Sequence, residues 1–245
     1  MSTAALSRVP STLSSRIAAI DWQQVAAGLN TDGFAVTQPL LTAAQCNDLV
    51  ALYAQDDVFR SRVVMARHGF GLGEYKYFGY PLPDLVASLR EQLYGPLAGI
   101  ANAWHKAMRL ETRFPDDHAA FLERCHRAGQ KRPTPLLLQY GAGDYNCLHQ
   151  DLYGEHVFPV QVAILLSVPG RDFEGGEFVL TEQRPRMQSR PAVVSLRQGS
   201  AVMFAVNERP VQGKRGSYRV KMRHGVSRLH SGHRHTLGII FHDAS

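Results

Sequence analysis

The chain has 245 residues, 44% hydrophobic and 20% charged, which suits a single globular domain able to bury its own core. Its three cysteines, Cys46, Cys125 and Cys147, are far apart and form no CxxC pair, which excludes a disulfide scaffold or a cysteine zinc site and fits a reducing cytoplasm. The formal net charge is +6, and from Arg184 to Arg234 twelve Lys and Arg residues stand against one acid, Glu208, so either a polyanionic partner or a solvated basic surface is expected there.

Residues 1–20 contain Ser and Arg, are poor in acids and lack an apolar signal core, so a short mobile tail is expected, leading into a helix. No stretch reaches the roughly 18 apolar residues that a membrane span needs, and a soluble, cytoplasmic protein follows. Asp21 is placed to cap a helix over "WQQVAAGL". "GFAVTQPLL" reads as a strand, and Thr42 with Gln45 forms a capping box for "AAQCNDLVALYAQ". Two or three amphipathic helices fill Pro83 to about Ala128, and "GQKRPTP" ends them. From residue 135 onward the segments "LLLQY", "NCLHQD", "VQVAILLSV", "GGEFVLTE", "AVVSL", "SAVMFAV", "YRVKMRHGV" and "HTLGIIFH" follow one another as strands without helices between them. The expected fold is α+β: residues 21–134 supply helices and a lid, and 135–245 form an antiparallel jelly roll packed against them.

The chemistry concentrates in "NCLHQDLYGE". His149 and Asp151 are two residues apart, so a strand points both side chains to one face. Two histidines and a carboxylate on one face, with open positions beside them, are the ligand set of non-haem Fe(II) oxygenases. Among the later histidines, His230 and His233 fall in a turn and His235 points away from Arg234, whereas His224 ends "YRVKM" and can sit on a neighbouring strand. His149, Asp151 and His224 are therefore the predicted metal ligands. Alternation along the last strand puts Arg234, Thr236, Gly238 and Ile240 on one face. If that face lines the barrel, Arg234 and Thr236 would meet a dicarboxylate. Cys147 has parity that could bring its thiol near the metal, although a plain buried strand position explains it as well.

"HQD", "FEGGEFVL", "MFAVNERPVQ", "RHGV" and "RHTLGIIF" together resemble the Fe(II)/2-oxoglutarate dioxygenase superfamily over about Leu136 to His242. The resemblance implies a double-stranded β-helix, Fe(II), 2-oxoglutarate and O2 as cofactors, and Arg234 holding the 2-oxoglutarate tail. "YGAGDYNCLHQD" resembles the AlkB-type alkylation-repair dioxygenases, which would place Tyr140 on 2-oxoglutarate. That match is partial: Leu138 and Ile240 stand where those enzymes carry Asn and a second Arg. As a whole the chain is similar to a bacterial family, Oxygenase-NA, described as demethylating damaged nucleic acid oxidatively. That similarity implies a nucleic-acid partner, and "RSRVVMARHGFGLGEYKYFGYP", residues 60–81, interleaves cations with aromatics as a base-stacking lid would. Arg67, His68, Tyr75, Lys76, Tyr77 and Arg228 are the candidate substrate contacts, though "EYKYFGY" also reads as a plain strand with packed aromatics. Two rivals remain: a hydroxylase of a protein side chain or small metabolite, which "EGGEF" favours, and a non-catalytic nucleic-acid-binding barrel.

Overall fold

Residues 12–214 and 216–245 are described in a computed structural model. The first part holds α1 (Leu13–Ala18), α2 (Trp22–Thr31), β1 (Phe34–Val36) and α3 (Ala43–Leu52). Asp21 accepts a hydrogen bond from the Gln24 amide to start α2, and Thr42 and Gln45 form the expected reciprocal box at α3. Residues 1–11 of the expected tail lie outside the described residues. Its remainder is ordered: Ile17 is buried, and Leu13 and Ile20 pack against the same core, one apolar stripe at helical spacing.

Residues 59–78 differ from expectation. They form β2 (Phe59–Val64), one helical turn (Met65–His68), β3 (Gly71–Leu72) and β4 (Glu74–Phe78). The expected lid is thus part of a sheet. Two helices follow, the long α4 (Asp84–Ala107) and the shorter α5 (His118–Arg127). Val86, Leu89, Leu93, Leu97, Ala101 and Trp104 recur along one face of α4 and are buried.

The remaining strands are β5 (Leu136–Tyr140), β6 (Tyr145–His149), β7 (Val160–Leu165), β8 (Phe173–Gly175), β9 (Phe178–Gln183) and β10 (Arg190–Val194). They continue with β11 (Ala201–Ala205), β12 (Glu208–Gly213), β13 (Gly216–Val226), β14 (Leu229–Gly232) and β15 (Arg234–Ile239). Among the described residues the larger sheet runs β1-β11-β7-β15-β5-β4-β2, and the smaller runs β10-β9-β13-β6-β3 with β12 on β13. The paired strands are antiparallel, and the two sheets form the double-stranded β-helix.

Every residue of β7 is buried, because both of its faces are covered. Val160, Val162 and Ile164 join Leu93 and Trp104 under the helices, while Ala163 and Leu165 join Phe178 and Phe204 inside the barrel. The same alternation in β15 sends Leu237 and Ile239 toward the helices. Arg234, Thr236 and Gly238 then face the barrel cavity, with Ile240 beyond the strand end.

Candidate active site

Strands β6 and β13 are neighbours in register, with His149 directly opposite His224 and their ring centroids 4.2 Å apart. Asp151 lies two residues beyond His149, the last residue of β6. One carboxylate oxygen, Oδ1, lies 3.4 Å from His149 Nε2, and the other, Oδ2, lies 3.4 Å from His224 Nε2. Ligand atoms from the three residues all fall within 4.8 Å of one another, so one ion can reach all three.

The surroundings prepare these groups. His149 Nδ1 donates to the Cys147 carbonyl at 2.7 Å, which leaves Nε2 with its lone pair toward the other two ligands. His224 is 6% exposed and its ring packs against Phe204 and Phe178. Between the ligands, Gln150 donates to Asn207 and to the Met222 carbonyl, pinning the segment. Burial alone would push the Asp151 carboxyl up, but hydrogen bonds and charge from His149 and His224 outweigh it and hold the group well below the usual range. Burial lowers the His224 imidazole, reinforced by the neighbouring His149. For His149 the burial effect is outweighed by Asp151, and its pKa is raised.

A cavity of about 360 Å³ runs from this triad to Arg234. Arg234 is 2% exposed, and burial lowers its pKa to about 10, so it remains a cation at neutral pH. It donates to the Thr236 hydroxyl at 2.7 Å, yet its Nε has no partner, and no carboxylate among the described residues forms an ion pair with it. A buried cation without a counter-ion is costly unless an anion is supplied. The orphaned Nε and the free face of the fork fit the distal carboxylate of 2-oxoglutarate. Tyr140 stands directly opposite Arg234 on β5, is fully buried, and its hydroxyl is within 3.4 Å of the Asn146 amide.

The candidate substrate contacts separate. Tyr75 and Tyr77 line the cavity. Lys76, between them on β4, points to the opposite face, where it binds the Tyr53 carbonyl and Asp56 and lies over the rings of Tyr53 and Phe59. It does not reach the site, because a strand cannot put adjacent residues on one face. Arg67 and His68 are exposed, and His68 stacks on Phe70, which lines the cavity mouth, with centroids 5.3 Å apart. Arg228 is exposed beside the Tyr145 ring, away from the cavity lining. Cys147 is exposed rather than buried.

The basic stretch is also divided. Arg209 is buried against Glu182, which also holds Arg184 and Arg190, and Arg219 pairs with Glu208. Arg234 is inside the barrel, and Arg215 lies outside the described residues. Two site residues escaped the sequence reading. Tyr153 donates to Asp151 Oδ1 at 2.8 Å, and Gln161 lines the cavity, 3% exposed, with its amide nitrogen unpartnered. A lone amide in the apolar run "VFPVQVAILL" was the available signal for the second.

The model of the Oxygenase-NA family, described as "Oxygenase, catalysing oxidative methylation of damaged DNA", matches residues 73–244. This protein belongs to the Oxygenase-NA family. Membership, together with the His–Asp–His site, makes it an Fe(II)- and 2-oxoglutarate-dependent dioxygenase that uses O2. The uncharacterized Mycobacterium tuberculosis proteins MT2286 and Rv2227 are each 48% identical over 168 residues, 69% of this chain and 72% of theirs. Among solved structures, a Trichoplax adhaerens prolyl hydroxylase in complex with a hypoxia-inducible-factor peptide superposes with TM-score 0.54 at 16% identity, over 89% of this chain and 87% of that one. A Pseudomonas putida prolyl-4-hydroxylase gives TM-score 0.51 at 14% identity, over 96% and 100%. At such identities the structural likeness concerns the fold. No helix among the described residues is long and apolar enough to cross a membrane.

Proposed function

We propose that this Oxygenase-NA protein oxidises an N-alkyl group on a nucleobase presented single-stranded or flipped out of a duplex. The observation that carries this reading is the aromatic path into the site. Phe70, 47% exposed with His68 stacked on it, opens onto a cavity walled by Tyr75 and Tyr77 that ends at the metal triad. Planar rings entering there find stacking surfaces from rim to wall, which suits any base because every base has a π-face. The family's description, which refers to damaged DNA, supports the same direction.

When bound, iron and 2-oxoglutarate supply oxidation of a C–H bond by O2, with 2-oxoglutarate leaving as succinate and carbon dioxide. In this reading His149, Asp151 and His224 hold the metal, and Arg234 and Thr236, with Tyr140 across the sheet, hold the dicarboxylate. Leu136, Leu138 and Ile240 exclude water from the space between. The unpartnered Gln161 amide is placed to donate to an acceptor on the base. Hydroxylation of an N-methyl carbon gives an N-hydroxymethyl group, which breaks its C–N bond to restore N–H and release formaldehyde.

A second reading, hydroxylation of a peptide side chain, has the apolar rim behind it. Leu72, Leu148 and Leu152 are 40%, 43% and 49% exposed, and Leu148 stands with Phe70 in the cavity lining. Mass spectrometry of an N-methylated single-stranded oligonucleotide after turnover separates the two. The proposal expects the unmethylated oligonucleotide and formaldehyde; an unchanged oligonucleotide beside a hydroxylated peptide would transfer the assignment to the second reading.

A further inference from the structure

Asp151 is followed by a loop without helix or strand up to Val160, yet the loop's Tyr153 delivers a hydroxyl to a single carboxylate oxygen. We infer that Tyr153 is a positioning residue for the metal-binding carboxylate, and that Gln130 sets Tyr153 by clamping its loop. The inference rests on the proposed triad.

The Tyr153 hydroxyl donates to Asp151 Oδ1 at 2.8 Å, the oxygen that also faces His149, while Oδ2 faces His224. An ionised carboxylate is acceptor-only, and its two oxygens are equivalent unless something distinguishes them. The hydroxyl does so, fixing the rotation of the carboxylate before a metal arrives. Outer-sphere partners of this kind typically set metal affinity by about 10- to 100-fold.

A loop tyrosine can position another group only if its own backbone is held. Gln130, fully buried between α5 and β5, shares its amide hydrogens among the carbonyls of Tyr153 (3.2 Å), His156 (3.2 Å) and Asp243 (2.6 Å). Its carbonyl oxygen accepts from the His156 amide at 2.7 Å. Gly154 lies between them at φ +86°, and a Cβ there would run into the Gln130 carboxamide, so the amide lies flat on the loop. The third anchor, Asp243, is itself fixed: its carboxylate receives Arg90 of α4 at 2.7 Å, the Tyr80 hydroxyl at 2.9 Å and His126 of α5 at 2.7 Å. The chain of contacts therefore leads from the helical layer through Gln130 and Tyr153 to Asp151. Packing alone would need the Tyr153 ring, which meets Tyr77 edge-on, but not its hydroxyl.

The test is anaerobic titration of the full-length protein with Mn(II) as probe, followed by isothermal calorimetry, alongside circular dichroism of each variant. Tyr153→Phe, which keeps the ring, is expected to weaken Mn(II) binding about tenfold with an unchanged spectrum. Gln130→Leu is expected to weaken it similarly, and the double variant to be no weaker than Tyr153→Phe alone, because both act through one hydroxyl. Wild-type affinity in Tyr153→Phe would overturn the inference, and this single variant decides it even if Gln130→Leu does not fold. Additive losses in the double variant would overturn the clamp. Mn(II) binding that survives Asp151→Ala would overturn the triad and the inference with it.

Discussion

Arg234 brings a charge into a cavity that offers it one hydroxyl and two aromatic rings, with Tyr140 and Phe173 centroids 5.7 and 5.9 Å from its guanidinium carbon. That arrangement is poor for the protein alone and good for a bound dicarboxylate, so the two effects of removing it should diverge. Arg234→Met is expected to weaken 2-oxoglutarate binding by roughly 30-fold or more, the scale of a lost buried charge partner of about 2–5 kcal/mol. The same substitution should leave the melting temperature of the ligand-free protein unchanged or raised, because a buried unpaired cation has been replaced by an apolar chain of similar length. Calorimetry and thermal melts check the two halves separately. A melting temperature that falls by several degrees would show that Arg234 is structural. At the metal, His149→Ala is expected to abolish Mn(II) binding, since two remaining ligands leave an incomplete face.

At the level of elements, β4 separates the cavity from the helical layer, and its two faces have different work. Lys76→Ala is expected to cost about 1–3 kcal/mol of stability through its lost hydrogen bonds and ring contacts, without changing affinity for single-stranded DNA. Phe70→Ala should do the reverse, weakening DNA binding by roughly 1–3 kcal/mol at little cost in stability. Denaturant melts and fluorescence anisotropy measure both. If Lys76→Ala lost DNA affinity while keeping its stability, the face assignment of β4 would be wrong. Period-two alternation relates His149 to Asp151 and Arg234 to Thr236 without knowledge of the sheet order, whereas His224, on a neighbouring strand, is reached only by setting aside the turn histidines and His235. The same alternation could not say which face of "EYKYF" looks inward, and a cation between tyrosines reads as one surface until the strand divides it. The basic stretch was legible only in part for a related reason: Glu182, which gathers Arg184, Arg190 and Arg209, lies outside it in sequence and next to it in space, while Arg186, Arg197, Lys221 and Arg223 are exposed. Tyr153 and its clamp depend on contacts between residues 23 and 113 positions apart along the chain, which no local pattern encodes.

Across the whole molecule, acid should loosen the packing of helices on the sheet before it reaches the carboxylates. His118 of α5 is buried against the Phe241 carbonyl, His242 is buried with the Phe158 amide on its Nδ1, and burial depresses both to about 4 from an ordinary 6.5. The unfolded chain therefore binds more protons than the native one between those values, so stability falls as pH drops from 6.5 toward 4. Each histidine contributes a slope approaching about 1.4 kcal/mol per pH unit. The Asp243 carboxyl, which burial raises but Arg90, His126 and Tyr80 together hold low, adds stability above the ordinary carboxylate range that is lost as pH falls through its depressed value. Urea midpoints from pH 7 to pH 4 test this, and a flat profile would contradict the buried neutral histidines. Turnover of this dioxygenase on an alkylated base is tested by succinate release in air, with Fe(II) and 2-oxoglutarate supplied, in the presence of N-methylated or unmethylated single-stranded DNA. Succinate stimulated by the methylated strand, matched mole for mole by formaldehyde and absent in His149→Ala, is the expected result. Succinate released at the same slow rate with either strand, without formaldehyde, would contradict it.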